Sequence, residues 1–162
     1  YWRPRSIAEL RRKITATSGP QVASEYTFVI TAEDEEASSP RTNTASTNIT
    51  ANAGNPKLIG ECSIHGIDWR NRIAQVGVCI WRPDDRRHGH GHAAIQQVTA
   101  WAFDYLGLLT LEAWIVEDNQ PSLQLFEKLG FTYEGTLRGR YLQGGISKAM
   151  VVLARTVEDV AE

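Results

Sequence analysis

The chain has 162 residues, 42% of them hydrophobic and 22% charged, with a formal net charge of -2. That balance fits one globular domain with room for a sizeable core, and it argues against a strongly basic partner for nucleic acid or an anionic membrane. No apolar run approaches the roughly 20 residues needed to span a bilayer, and the charged, aromatic opening does not read as a signal peptide.

Tyr1 to Ser6 leads into a predicted helix. Ser6 suits the N-cap, Ile7, Leu10 and Ile14 share one face, and Gly19-Pro20 ends it. Ser24 to Ala32 is rich in aromatic and β-branched residues and predicts a strand. Residues 33–56 begin with Glu33, Asp34, Glu35 and Glu36 and continue as Ser, Thr, Asn and Ala. With almost no large apolar side chain to offset its ordering entropy, this stretch reads as a mobile loop insertion. Its sequon, Asn48-Ile49-Thr50, matters only in a secreted protein.

Lys57 to Asp68 and Arg72 to Trp81 predict an antiparallel pair turning near Trp69-Arg70-Asn71. A hairpin centred on Arg70-Asn71 would set Cys62 opposite Cys79. These are the only cysteines. Two are too few for a disulfide scaffold, so reduced core thiols and a cytoplasmic setting are expected.

Cys79 to His92 then reads as a strand end, a turn at Pro83 and a basic loop punctuated by Gly89 and Gly91 that opens a helix over His92–Leu106. Such a strand–loop–helix can gather backbone N–H groups around a phosphate, with Arg86 and Arg87 adding charge. The plainer reading is a turn with solvated arginines. The alternating His88, His90 and His92 invite a metal, but i, i+2 spacing shares a face only in an extended strand, and no carboxylate or thiol completes a set. They fit better as donors near a phosphate, with no metal.

The helix carries Ile95, Val98, Trp101, Ala102 and Tyr105 on its core stripe and stops at Gly107. Leu109 to Val116 is a nearly continuous apolar run, which predicts a central strand. Glu112 interrupts it. A carboxylate in such a strand is a candidate general base, or it sits at an exposed end or pairs with an arginine. Glu61, Asp118 and Ser122 are its candidate company. Asn119 caps the next helix, with Pro121 in its first turn, Leu123, Leu125, Phe126 and Leu129 on its buried side, and Gly130 as its stop. Phe131 to Arg140 and Ser147 to Ala154 predict a last strand pair turning through Gln143-Gly144-Gly145. The order of elements is that of a single mixed α/β domain over 1–162, with a largely antiparallel sheet. The five tryptophans are scattered and read as core or pocket walls.

Several separated segments resemble one family at once. Arg86-Arg87-His88-Gly89-His90-Gly91 fills the family loop Arg/Gln-x-x-Gly-x-Gly/Ala. Asp118-Asn119-Gln120-Pro121-Ser122, Leu125-Phe126-Glu127-Lys128-Leu129-Gly130-Phe131 and Tyr133-Glu134-Gly135-Thr136-Leu137-Arg138 follow in order. The chain resembles the GNAT superfamily of N-acetyltransferases, in the branch of the ribosomal-protein alanine and serine N-acetyltransferases and the spermidine acetyltransferases.

That resemblance implies an acetyl-CoA-dependent N-acetyltransferase in which an amine acceptor, a protein N-terminus or a small molecule, attacks the thioester directly. Its runner-up is a non-catalytic acyl-CoA sensor. By the resemblance, the backbone of Cys79, Ile80 and Trp81 would receive the pantetheine arm, and one N–H there would polarise the thioester carbonyl. Arg86, Arg87, His88, Gly89, His90, Gly91 and His92 would hold the pyrophosphate, and Asn119 and Ser122 would lie near the thiol. The partners implied are the acceptor amine and a second copy in a homodimer, with neither nucleic acid nor a membrane. The chain departs from the family at Phe126, where many members have a tyrosine acid, and at Ser147, near a usual carboxylate. Trp114, not Glu112, aligns with the best-known strand glutamate. The hydroxyl candidates are then Ser122 and Tyr141. The family usually begins with a further strand and helix, so an incomplete N-terminus is expected.

Overall fold

The computed structural model describes residues 24–32 and 56–158. The helix expected over Ser6–Ile14, residues 33–55 of the insertion and the sequon lie outside the described residues. The elements are β1 (Glu25–Ala32), β2 (Lys57–Asp68), β3 (Ile73–Ile80), α1 (His90–Asp104), β4 (Thr110–Val116), α2 (Gln120–Lys128), β5 (Thr132–Gln143) and β6 (Ile146–Thr156). The strands form one sheet in the order β1-β2-β3-β4-β6-β5. The β3–β4 pair is parallel and the others are antiparallel. This is the mixed, mostly antiparallel architecture expected from the pattern. Among the described residues no helix is long and apolar enough to cross a membrane.

One core joins the sheet to both helices. Ile95, Val98 and Ala102 of α1 and Phe126 of α2, with Leu129 just beyond, pack on Cys62, Ile64, Ala74, Val76, Leu111, Ala113 and Ile115. β4 is central in the sheet, between β3 and β6, as its nearly continuous apolar run predicted, yet it buries only one face. Leu111, Ala113 and Ile115 are buried, while the alternate Trp114 is exposed. Strand period two sends it to the face away from the helices.

The β2–β3 register corrects the expectation for the cysteines. At the turn, Asp68 pairs with Ile73, a register that would place Cys62 opposite Cys79. A bulge between His65 and Asp68 adds one residue to β2, where Gly66 has φ +62°. Beyond it Cys62 faces Val78 and Glu61 faces Cys79. A one-residue slip moves a side chain to the other face of the sheet, so Cys62 enters the core and Cys79 does not share its face. Both thiols are free. The turn is held by Asp68, whose Oδ1 accepts from the N–H groups of Arg70 and Asn71, both at 3.0 Å. Those bonds, Asn71's first, hold its carboxyl below the usual value.

The last hairpin is longer than its sequence pattern suggested. It turns through Gly144 (φ +57°) and Gly145 (φ +79°), the two left-handed residues that a tight hairpin turn requires.

Candidate active site

β3 and β4 are parallel neighbours for only a short distance. Ile73, Ala74 and Gln75 pair with Thr110, Leu111 and Glu112, and the closed end is tied by Leu109 N–H to Arg72 C=O at 2.7 Å. Beyond Gln75, β3 stays with β2 as far as Ile80, and β4 stays with β6 as far as Val116. The sheet therefore splits into a V. A cleft of about 510 Å³ opens between the arms, lined among others by Val76, Val78, Trp114, Asn119, Ser122 and Phe126.

One hydrogen bond sets which backbone groups face that opening. Trp81 N–H donates to Ile59 C=O at 3.0 Å. In an antiparallel ladder such bonds recur at every second residue, so Cys79 turns its backbone groups and Trp81 its N–H toward β2, while Val78 and Ile80 turn theirs away from it. Of the three residues implied by the resemblance for the pantetheine arm, only Ile80 has this orientation. Its carbonyl already accepts from Arg86 Nε at 3.1 Å. Val78, which the sequence reading missed, both lines the cleft and presents its backbone edge there. Only the strand register reveals it.

The loop after β3 begins with a 3-10 turn over Pro83–Asp85. Arg86 folds back on the strand end, with a second guanidinium N–H at 3.4 Å from Trp81 C=O. His88 Nε2 lies 3.1 Å from Asp84 C=O, and Lys57 pairs with Asp85 at 2.5 Å. Arg86 and His88 thus shape the loop. Arg87 (φ +66°) and Gly89 (φ +84°) turn the chain into α1, which starts at His90, two residues earlier than expected. Its first intrahelical bond runs from Ala93 N–H to Gly89 C=O. The N–H groups of His90, Gly91 and His92 therefore have no helical carbonyl to bond, and they add to the positive end of the helix dipole. A Cβ on Gly91 would lie 3.7 Å from Leu125 and 4.0 Å from Val78. These are ordinary contact distances, so a methyl group fits here and a larger side chain would press on α2 and the cleft wall. The His90 ring lines a separate groove of about 450 Å³ between α1 and β1. Among the described residues no group of three His, Cys, Asp or Glu side chains has a metal-binding arrangement.

The other arm of the V carries Asn119 and Ser122. Asn119 caps α2, its Oδ1 accepting from Ser122 N–H at 3.4 Å, and both line the cleft. Phe126 is buried, edge-on to Phe131 with centroids 5.0 Å apart. Tyr141, Gln143 and Lys148 reach the cleft from the β5–β6 hairpin, and His65 and Gln75 from β2 and β3. His65 Nδ1 lies 3.3 Å from the hydroxyl of buried Ser63. His65, Gln75, Gln143 and Lys148 carried no sequence signal, because they converge only through strand pairing.

Glu112 is not among the residues lining the cleft. It sits at the closed end of the V, beside Gln75, and accepts from Trp114 Nε1 at 2.8 Å. It thereby holds a cleft-lining indole. Glu61 is completely buried opposite Cys79. Burial first, and then the Glu61 charge, raise the Cys79 thiol's pKa.

The Acetyltransferase (GNAT) domain family matches residues 2–132, and the chain belongs to that family. An uncharacterized N-acetyltransferase of Bacillus subtilis (strain 168), YoaA, is 35% identical over 89 residues, which cover 55% of this chain and 50% of that protein. The alpha/beta-tubulin-N-acetyltransferase 9 of Mus musculus is 31% identical over 75 residues, 46% of this chain and 31% of that protein. The chain thus spans half or less of the length of these relatives. Among solved structures, spermidine N-acetyltransferase SpeG from Vibrio cholerae (F149A mutant) superposes with a TM-score of 0.69 at 20% identity, covering 93% of this chain and 75% of that one. At that identity the likeness is one of fold.

Proposed function

We propose that this domain transfers the acetyl group of acetyl-CoA to a primary amine by direct attack in a ternary complex. The observation that carries the reading is the split between β3 and β4, with the start of α1 packed against its Val78 wall. The residues present fit acetyl-CoA. The N–H groups of His90, Gly91 and His92 suit its pyrophosphate, Arg87 adds charge beside them, and the loop folded by Arg86, His88 and Gly89 aims them. The outward backbone edge at Val78 and Ile80 suits the amides of the pantetheine arm, and Cys79 and Trp81 hold that edge in register from the β2 side. Acetyl-CoA supplies an activated acyl carbon. The protein must keep the attacking amine neutral, place an N–H against the carbonyl oxygen and protonate the departing thiolate. We assign the N–H to the Val78–Ile80 edge and the proton donor to Ser122 or Tyr141, with Asn119 holding Ser122 in place. Of the three carboxylates first considered, Glu112 lies off the cleft, Glu61 is buried opposite Cys79 and Asp118 is bound to Lys148. The imidazole of His65 or a water relay is the better fit.

The non-catalytic acyl-CoA sensor is less favoured, because the cleft gathers an imidazole and two hydroxyls beyond what binding needs. Free thiols fit a cytoplasmic setting, and a homodimer remains part of the proposal; one Vibrio cholerae spermidine N-acetyltransferase of this fold is dodecameric. The test is thiol release from acetyl-CoA across a panel of amines. Turnover on any amine supports transfer, binding without turnover supports the sensor, and failure to bind CoA overturns both.

A further inference from the structure

The cleft passes between β3 and β4 from one face of the sheet to the other. On the helix-bearing face its walls are Val76, Val78, Ala113 and Ile115. The alternate residues Gln75, Trp114 and Val116 point to the opposite face, where His65 lies opposite Gln75 and Met150 opposite Val116. The α1 start packs on the Val78 side, so the proposed phosphate site belongs to the helix-bearing face and the opposite face is left to the acceptor. There the two arms differ. The β2–β3 arm brings the polar His65 and Gln75, while the β4–β6 arm brings the apolar Trp114, Val116 and Met150. Asp118, Lys148 and Gln143 also reach the cleft from that arm and are bonded among themselves. Trp114 is 38% exposed, and the core wall of β4 is built without it, from Leu111, Ala113 and Ile115. Its Nε1–H donates to Glu112 Oε2 at 2.8 Å, two residues back on the same strand. That charge-assisted bond holds the ring in one orientation and occupies the only donor an indole has. What the indole offers the cleft is therefore a fixed hydrocarbon surface.

We propose that Trp114, locked by Glu112, is a specificity-determining residue for the acceptor, packing the hydrocarbon next to the reacting nitrogen and favouring amines that carry such a group. Glu112 is a positioning residue that acts only through the indole. This rests on the proposed acetyl transfer. The hydrocarbon lies along the β4 arm with Val116 and Met150 beyond the indole, and the nitrogen is turned to the polar arm. Each carbon laid on the indole leaves water, which strengthens acceptor binding and leaves acetyl-CoA, held from the other face, untouched.

The test measures kcat/KM for the n-alkylamines from ethylamine to hexylamine, together with the KM for acetyl-CoA. It uses the wild-type chain, Trp114→Ala, Trp114→Phe, Glu112→Ala, Glu112→Gln and the double variant Trp114→Phe with Glu112→Ala. The wild type is expected to gain up to about fourfold per added methylene over the carbons that reach the indole. Trp114→Ala flattens that slope, Glu112→Ala reduces it, and Glu112→Gln, which keeps an oxygen for the N–H, preserves most of it. The KM for acetyl-CoA stays within about twofold throughout. Phenylalanine has no N–H for the carboxylate, so Glu112→Ala adds little in the Trp114→Phe background. Thermal melts identify any variant that fails to fold, and the slope is then read from the others. Three results overturn the inference while leaving acetyl transfer intact: other amines react but the alkylamine series shows no rise with length, neither Trp114→Ala nor Glu112→Ala alters the slope, or Glu112→Ala acts as strongly in the Trp114→Phe background as alone. Bound CoA with no turnover on any amine overturns the transfer reading and this inference with it.

Discussion

Trp81 donates its backbone N–H to the carbonyl of Ile59 at 3.0 Å, and that bond turns Val78 outward toward the cleft. The alternation of an antiparallel ladder makes one contact decisive for the whole edge. Blocking the backbone N–H of Val78, by semisynthetic replacement of its amide with an ester, is expected to slow acetyl transfer by about 10²-fold or more. The same replacement at Cys79, whose N–H faces β2, is expected to lower stability with a smaller effect on the rate. Single-turnover thiol release and thermal melts separate the two. Equal rate effects at both positions would remove the edge assignment.

Arg86 holds the end of β3 through Ile80 C=O and Trp81 C=O. Arg86→Ala is expected to weaken CoA binding by up to about 1.5–3 kcal/mol, the range for hydrogen bonds to a charged group. Arg86→Lys should recover little, since one ammonium cannot reproduce the fork. Calorimetric titration with CoA checks this, and full affinity in Arg86→Ala would show that the loop shapes itself without the guanidinium.

Gly89 and Gly91 act differently. Gly89→Ala forces a side chain into the left-handed region, at about 1–2 kcal/mol, with open space around it. Gly91→Leu drives a large group against Leu125 and Val78. It is expected to abolish CoA binding, while Gly89→Ala weakens it. Unchanged affinity in both variants would refute the phosphate-loop assignment.

Glu112→Gln keeps an oxygen for the Trp114 indole and is expected to leave the pH–rate profile in place. Glu112→Ala frees the indole, and its effect should appear as altered Trp114 fluorescence and a raised acceptor KM. A profile shifted by Glu112→Gln would return that carboxylate to the chemistry.

Two pH effects follow from burial and pairing. Cys62 is pushed up from 9.0 to about 12 by burial, so the folded state holds its proton more tightly than the unfolded one. The stability linked to it is complete below about pH 9 and is lost as pH rises toward about 12. Denaturant unfolding of Cys62→Ala across that window should show a shallower decline than the wild type. Asp118 moves the other way. Its bond to Lys148 holds its carboxyl below the usual 3.8, so the linked stability is present above that value and is lost as pH falls further. Carboxyl NMR titration of Lys148→Met should return the Asp118 midpoint upward.

Much of the fold was legible because its signals are local. Asn119 before Pro121 starts α2, Gly130 ends it, and Gly144-Gly145 turns the last hairpin. The glycine-punctuated loop and the helix it opens were also in view, since glycine placement and a missing first-turn carbonyl depend on a few neighbouring residues.

Over the described residues the sequence by itself thus determined the elements, their order, the loop that precedes α1 and the resemblance to one family. It did not determine the register of β2 on β3, and so it set Cys62 against Cys79 and named Cys79 and Trp81 for an edge that Val78 presents. A bulge at Gly66, several residues from either cysteine, displaces the ladder by one position. The splitting of β3 from β4, and the meeting of His65, Gln75, Ser122, Tyr141 and Lys148 in the gap, likewise came only with the tertiary structure. Those residues lie on separate strands and one helix start, and pairing over long separations in the chain is what brings their side chains to one cleft.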